Sequence, residues 1–171
     1  LVIGKIYIAR NALDSAKIYI SQSKQISLDQ GFKVFRQLQA LGDIQLLEGD
    51  PEGAALTKIE ALSEAEASNI IPQVIWANIR VGDIYEVLGN DRKANEYYKK
   101  AQLLQNGINA SSSLTPSLQL RLGDVQHAYD LYSSRGAILG ANIATLKLAE
   151  IQLKDNEYDS LALSLVSAAK Y

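Results

Sequence analysis

The 171-residue sequence predicts an all-α fold, an α-α superhelix of about four helical hairpins followed by a terminal helix. Three observations carry that expectation. The chain repeats itself at a period near 40, small residues recur seven positions apart within each period, and Pro, Gly and Asp fall where helix ends need them. Sliding the chain by 40 lays Gly42, Asp43 and Ile44 over Gly82, Asp83 and Ile84, Gly49 over Gly89, Ala54 over Ala94 and Ala61 over Ala101. A slide of 38 carries Gly42 to Gly4 and Ala54 to Ala16, and one of 41 carries Gly82 to Gly123, where Leu122-Gly123-Asp124-Val125 repeats the tetrad. Residues seven apart share one stripe of a helix, and Gly or Ala on that stripe lets a neighbouring helix come close. Because Gly inside a helix costs about 1 kcal/mol against Ala, its return at one phase points to packing.

The elements follow in order. Helix 1–10 opens in the apolar Leu1 to Ile8 and carries Gly4; helix 12–26 carries Ala16 and Ser23 at the small-residue phase. Helix 30–48 holds Gly42 and ends at Gly49, after which Asp50 offers an N-cap and Pro51 takes the first position of helix 51–67. Helix 71–88 repeats the pattern with Gly82, and Gly89-Asn90-Asp91 starts helix 91–105 without proline. Asn106-Gly107 and Ser111 to Ser113 read as a loop, and Thr115-Pro116 starts another helix. Leu118, Leu122, Val125, Tyr129 and Tyr132, at steps of four and three, predict one unbroken helix over 115–132 that runs through Gly123. A second phasing makes Leu122-Gly123-Asp124 a turn at 34-residue spacing and Leu148 to Ala162 the next repeat. It puts Pro116 inside a helix at a cost of about 3 kcal/mol, so the continuous helix is preferred. Helix 137–154, apolar nearly all round, is expected to lie buried between neighbours, and 157–170 completes the chain. The whole is expected to be a single array, an internal fragment of a larger protein, with units of about 1–27, 30–67, 71–105 and 115–154.

Composition narrows the function. A formal charge of -2 lacks the Lys/Arg excess that nucleic acid or an anionic membrane requires. With no Cys and one His, thiolate sites, disulfides and histidine-rich zinc sites are excluded. There is no apolar run long enough to span a bilayer and no secretory leader, so a cytoplasmic or nuclear setting is expected. No Gly-rich phosphate loop, metal helix or serine turn occurs, so neither a cofactor nor catalysis is expected. Glu60, Glu64 and Glu66 read as a solvated helix end, and Lys99-Lys100 and Arg92-Lys93 as a solvated face. Asn109-Ala110-Ser111 fits a glycosylation acceptor by pattern alone.

The stretch Val81 to Ala101 resembles a tetratricopeptide repeat (TPR), with Gly82, Tyr85, Gly89, Ala94, Tyr98 and Ala101 at the family's small and aromatic positions. The unit 38–61 matches at Gly42, Gly49, Ala54 and Ala61 but has Gln45 and Lys58 where aromatic residues are usual. A period near 40 is similar to the long-helix variants of kinesin light chains and of bacterial sensor domains.

The resemblance implies a concave wall lined by the first helix of each hairpin and able to hold a peptide. Its groove positions fall on Arg36, Gln39 and Asp43, then on Trp76, Ile79, Asp83 and Glu86, and in the fourth unit on Ser117, Leu120, Asp124 and His127. Asp43, Asp83 and Asp124 would form an acidic ladder favouring a basic ligand segment; alternatively, Asp after the packing Gly only keeps that turn soluble. The family's terminal-carboxylate clamp is disfavoured, since Asp43, Asp83 and Ile79 stand where Lys and Asn would be needed. Trp76, the sole tryptophan, reads equally as a partner's anchor and as a packing residue. His127 has no second His and reads as an incidental surface residue. The expected role is a protein-binding scaffold, or alternatively a regulatory sensor that changes pitch on taking up a small ligand or peptide. The apolar, uncapped start at Leu1-Val2-Ile3 predicts self-association.

Overall fold

In the computed structural model, residues 1–107 and 115–154 are described, and nine α-helices with no strand occur among them. They fall into two units, 1–107 and the part of the chain after it. The Asn109-Ala110-Ser111 pattern and the expected helix 157–170 lie outside the described residues.

The first unit is three successive hairpins. They are α1 (Val2–Ala9) with α2 (Leu13–Asp29), α3 (Phe35–Leu47) with α4 (Pro51–Ser68), and α5 (Ile71–Val87) with α6 (Asp91–Gly107). The three intra-hairpin turns share one device. A left-handed residue, Asn11, Gly49 or Gly89, follows the first helix. The next N–H then reaches back over five residues: Ala12 to Tyr7 O at 2.9 Å, Asp50 to Gln45 O at 2.9 Å, and Asn90 to Tyr85 O at 2.8 Å. This closure satisfies carbonyls that the helix end would otherwise leave open. In the second and third hairpins a side-chain cap then starts the second helix, the Gly53 N–H donating to Asp50 Oδ1 at 2.9 Å and the Lys93 N–H to Asn90 Oδ1 at 3.1 Å. Gly49 and Gly89 are turn residues, as their place at the helix ends predicts, and not part of the packing stripe.

Gly42 and Gly82 do pack, as expected. A Cβ at Gly42 would stand 2.9 Å from Lys58 Cε, and one at Gly82 would stand 2.7 Å from Tyr98 Cδ1. Ala16, Ala54, Ala61, Ala94 and Ala101 are buried on the opposing helices. The second and third hairpins meet through Val34, Phe35 and Leu38, Ala61, Leu62 and Ala65, and Val74, Ala77 and Val81, a core of small and branched side chains around one aromatic ring. One boundary moves: α2 extends to Asp29 and α3 begins at Phe35, not residue 30. Gly31 at φ +72 and the Phe32 N–H to Ser27 O closure terminate α2 there.

The second unit corrects the reading of 115–132 as one helix. It contains α7 (Thr115–Arg121), α8 (Val125–Ser134) and α9 (Ile138–Lys154). Gly123 has φ +84, and the Asp124 N–H bonds Gln119 O at 3.0 Å, the same closure as at Gly49 and Gly89. Pro116 creates no conflict, because it is the second residue of a helix that starts at Thr115. The fourth hairpin is therefore α7 with α8, not 115–132 with 137–154. On α9, Ala144, Thr145 and Ala149 are buried, but Ile138, Leu139, Ile143, Leu146 and Ile151 are exposed, so the expected burial on both sides is not found.

Candidate functional site

Seven residues before each turn glycine stand Gly42, Gly82 and, in the second unit, Pro116. Sixteen residues after the packing position, on the second helix, stand Ile20, Lys58, Tyr98 and Tyr132. In the first three hairpins this slot faces the glycine of the first helix, and in the second and third it is polar; the Tyr132 ring lies against Gly140 of α9 instead. Lys58 therefore occupies the place of an aromatic ring, its methylene stem laid on Gly42 and its side chain 0% exposed.

All three N–H groups of the Lys58 ammonium are used: Nζ donates to Gln39 O at 2.7 Å, to Gln39 Oε1 at 2.9 Å and to Asp43 Oδ1 at 2.5 Å. In the next hairpin the Tyr98 hydroxyl donates to Asp83 Oδ1 at 3.0 Å. In these two hairpins the Asp that follows the packing glycine is thus the acceptor for whatever fills the slot fifteen residues on. Arg80 joins the two hairpins, with Nη2 donating to Asp43 Oδ1 at 2.8 Å and Nη1 to Asp83 Oδ2 at 3.2 Å. Its guanidinium lies 5.8 Å from the centre of the Trp76 ring, which in turn meets Phe35 edge-on at 5.8 Å. Burial pushes the Lys58 pKa down, opposed by the Asp43 charge, and burial pushes the Tyr98 hydroxyl up, reinforced by Asp83.

These facts place each expected site residue. Arg36 and Glu86 are exposed, and Trp76, Asp43 and Asp83 are partly exposed on neighbouring helices of the first unit. Gln39 and Ile79 are each only 3% exposed, so neither lines an open surface; Gln39 instead cradles Lys58. Leu120 is partly buried on α7. Asp124 and His127 belong to the turn and first turn of α8, a second helix, with His127 Nδ1 3.3 Å from Asp124 Oδ2.

The three acids of the expected ladder do not share one repeat position. Asp124 matches the capping residues Asp50 and Asn90, whereas the counterpart of Asp43 and Asp83 is Ser117. Asp43 and Asp83 face Lys58 and Arg80, so the preference for a basic ligand loses its ground. Reasoning from sequence noted Lys58 and Tyr98 only as occupants of an aromatic position and passed over Arg80; the further signal was that each slot is paired at constant spacing with an Asp.

The chain matches solved structures at low sequence identity. One is the crystal structure of aspartyl phosphate phosphatase F from Bacillus subtilis, with a TM-score of 0.72 and 15% identity over 98% of this chain and 46% of that one. Another is a putative kinesin light chain of nearly identical TPR-like repeats from Podospora anserina, with 0.68 and 13% over 98% and 90%. A third is a signal-transduction ATPase with a tetratricopeptide repeat sensor from Pyrococcus horikoshii, with 0.64 and 16% over 95% and 24%. The fold is TPR-like. No family model and no curated protein matches the sequence. The chain spans less than half of the phosphatase structure and about a quarter of the ATPase.

Among the described residues no helix is long and apolar enough to cross a membrane. In the second unit, α8 and α9 frame a cleft of about 290 Å³ lined by Tyr129, Ser133, Ile138, Asn142 and Thr145, with no charged side chain.

Proposed function

We propose that the chain is a protein-binding scaffold that takes a partner segment on the face of α3 and α5, and that it is not a catalyst. The observation that carries this reading is the stripe Trp76, Arg80, Asp83 and Glu86 on α5, flanked by Arg36 and Asp43 of α3. An aromatic ring and a guanidinium, both partly exposed and both held in place by neighbours, are the side chains most often found at binding hot spots. The TPR-like neighbours support an interaction role of this kind. The gathered charges argue against chemistry: Lys58, whose pKa is lowered, is wholly buried and reaches no substrate. This face sets Arg36 and Arg80 against Asp43, Asp83 and Glu86, close to balance, so the partner is selected by shape and apolar contact more than by net charge.

The lone tryptophan supplies the test. Peptides selected from a random display library on this protein should shift Trp76 emission and lose affinity for the Trp76→Ala variant. Selected peptides that bind the variant equally well would refute the assignment of this face.

A second reading, a regulatory sensor that changes pitch, is favoured by the Arg80 bridge between hairpins. Radius of gyration by scattering, with and without a selected peptide, separates the two; an unchanged radius counts against the sensor. Self-association is proposed through α1, where Val2, Ile3 and Ile6 are exposed.

A further inference from the structure

The contact between Asp43 and Arg80 is unusual in what would happen if it opened. Asp43 Oδ1 accepts two cations at once, Lys58 Nζ from its own hairpin and Arg80 Nη2 from the next. Arg80 has a second carboxylate, Asp83, one turn away on its own helix. Each hairpin is therefore balanced within itself: Lys58 with Asp43 in α3 and α4, Arg80 with Asp83 in α5. Breaking a buried ion pair is costly because it strands a charge, and here separation strands none.

Two further observations bear on the same contact. The Arg80 Nε is buried without a hydrogen-bond partner, so the closed arrangement does not satisfy the guanidinium fully. Asp43 and Arg80 are also each about a third exposed, which keeps the bond within reach of salt. Beneath it, small and branched apolar side chains and one aromatic contact between α3 and α5, Phe35 edge-on to Trp76 at 5.8 Å, form the seam along which the hairpins would shift.

We propose that Asp43–Arg80 is a charge-balanced latch between the second and third hairpins, one that opens and lets α3 and α5 shift against each other while both hairpins stay folded. This goes beyond the binding reading and needs no partner to be tested. Because the chain has no cysteine, a pair introduced at Leu47 and Val87, 55% and 58% exposed at the ends of α3 and α5, can carry spin labels as the only thiols. Pulsed dipolar spectroscopy then reads the distance between them.

In Arg80→Gln the mean distance should change, or its distribution widen, by about 1–2 Å, the scale of helix shifts at interfaces. Helical circular dichroism should stay unchanged. The unmutated latch in 1 M NaCl, where the screening length is about 3 Å, should move in the same direction without any substitution. Arg80→Lys, which keeps the charge but loses the forked guanidinium that reaches Asp43 and Asp83 with separate nitrogens, should fall between. Distances identical in Arg80→Gln and in high salt would overturn the latch. So would a loss of helicity in Arg80→Gln, which would make the contact part of the folding core.

Discussion

The packing glycines give the sharpest test of the fold, through Gly82→Ala. In an exposed helix this exchange stabilises by about 1 kcal/mol. At Gly82 the added methyl would lie closest to Tyr98 Cε1 and only 2.7 and 2.9 Å from Cδ1 and Cζ. Tyr98 is fully buried, and its hydroxyl is held by Asp83 at 3.0 Å, so the ring has nowhere to go. Overpacking a close-packed site costs about 1–3 kcal/mol, and three overlapping ring atoms put Gly82 at the upper end. The net effect is a destabilisation of about 2 kcal/mol, or a melting temperature lower by roughly 4–8 °C for a chain of this size.

Gly42→Ala presses on Lys58 methylenes at 2.9 to 3.1 Å, which bend more easily than a ring, and should cost less. Gly107→Ala meets nothing within 4 Å and has no left-handed backbone, so it should be neutral or mildly stabilising. Urea unfolding followed by Trp76 emission, which reports the first unit, gives the three midpoints. A Gly82→Ala midpoint at or above wild type, or a reversed ranking, would refute the helix-on-helix register described above.

Other consequences are as direct. Ala94→Leu, at a buried position facing α5, should lose about 1–3 kcal/mol, while Lys99→Ala on the solvated face should melt within a degree or two of wild type; equal losses would contradict the packing phase. The Tyr98 pKa is raised in the folded state, so folded protein keeps a proton that the unfolded chain releases from pH 10 upward. Its stabilisation is complete below pH 10 and falls above it by at most about 1.4 kcal/mol per pH unit. The stability advantage of wild type over Tyr98→Phe should therefore shrink on the alkaline side, and a constant difference would remove Tyr98 from the argument. Replacing Val2 and Ile6 with Ser should lower the mass seen by light scattering at high concentration if α1 mediates association; a mass that does not change with concentration in wild type would dismiss that surface.

Much of this protein is legible in its sequence because the repeated signals are local. Hydrophobic spacing, Asp50-Pro51 and Asn90-Asp91 fix where helices start, and the recurring Gly and Ala fix which stripes face a neighbour. Those features depend on residues a few positions apart, and the helices of the first unit follow from them within a few residues at most ends. The failures arose where one short pattern serves two structural purposes. Leu122-Gly123-Asp124-Val125 has the letters of the packing tetrad, yet Gly123 is a left-handed turn residue like Gly49 and Gly89, and φ is not written in the letters. The same slip of register moved Asp124 from a capping position into the phase of Asp43 and Asp83.

What the fold alone decided is the fate of the charges. Sequence placed Asp43, Asp83 and Lys58 on faces of helices, Lys58 at an aromatic position, but gave no sign that Arg80 crosses from one hairpin to the next. The pairing of these groups depends on distances between helices, set by how far two backbones approach across a missing side chain. Local periodicity determines the helices and their faces. Only the packed array determines which charge meets which, because that choice is made across space by residues 15 to 37 positions apart.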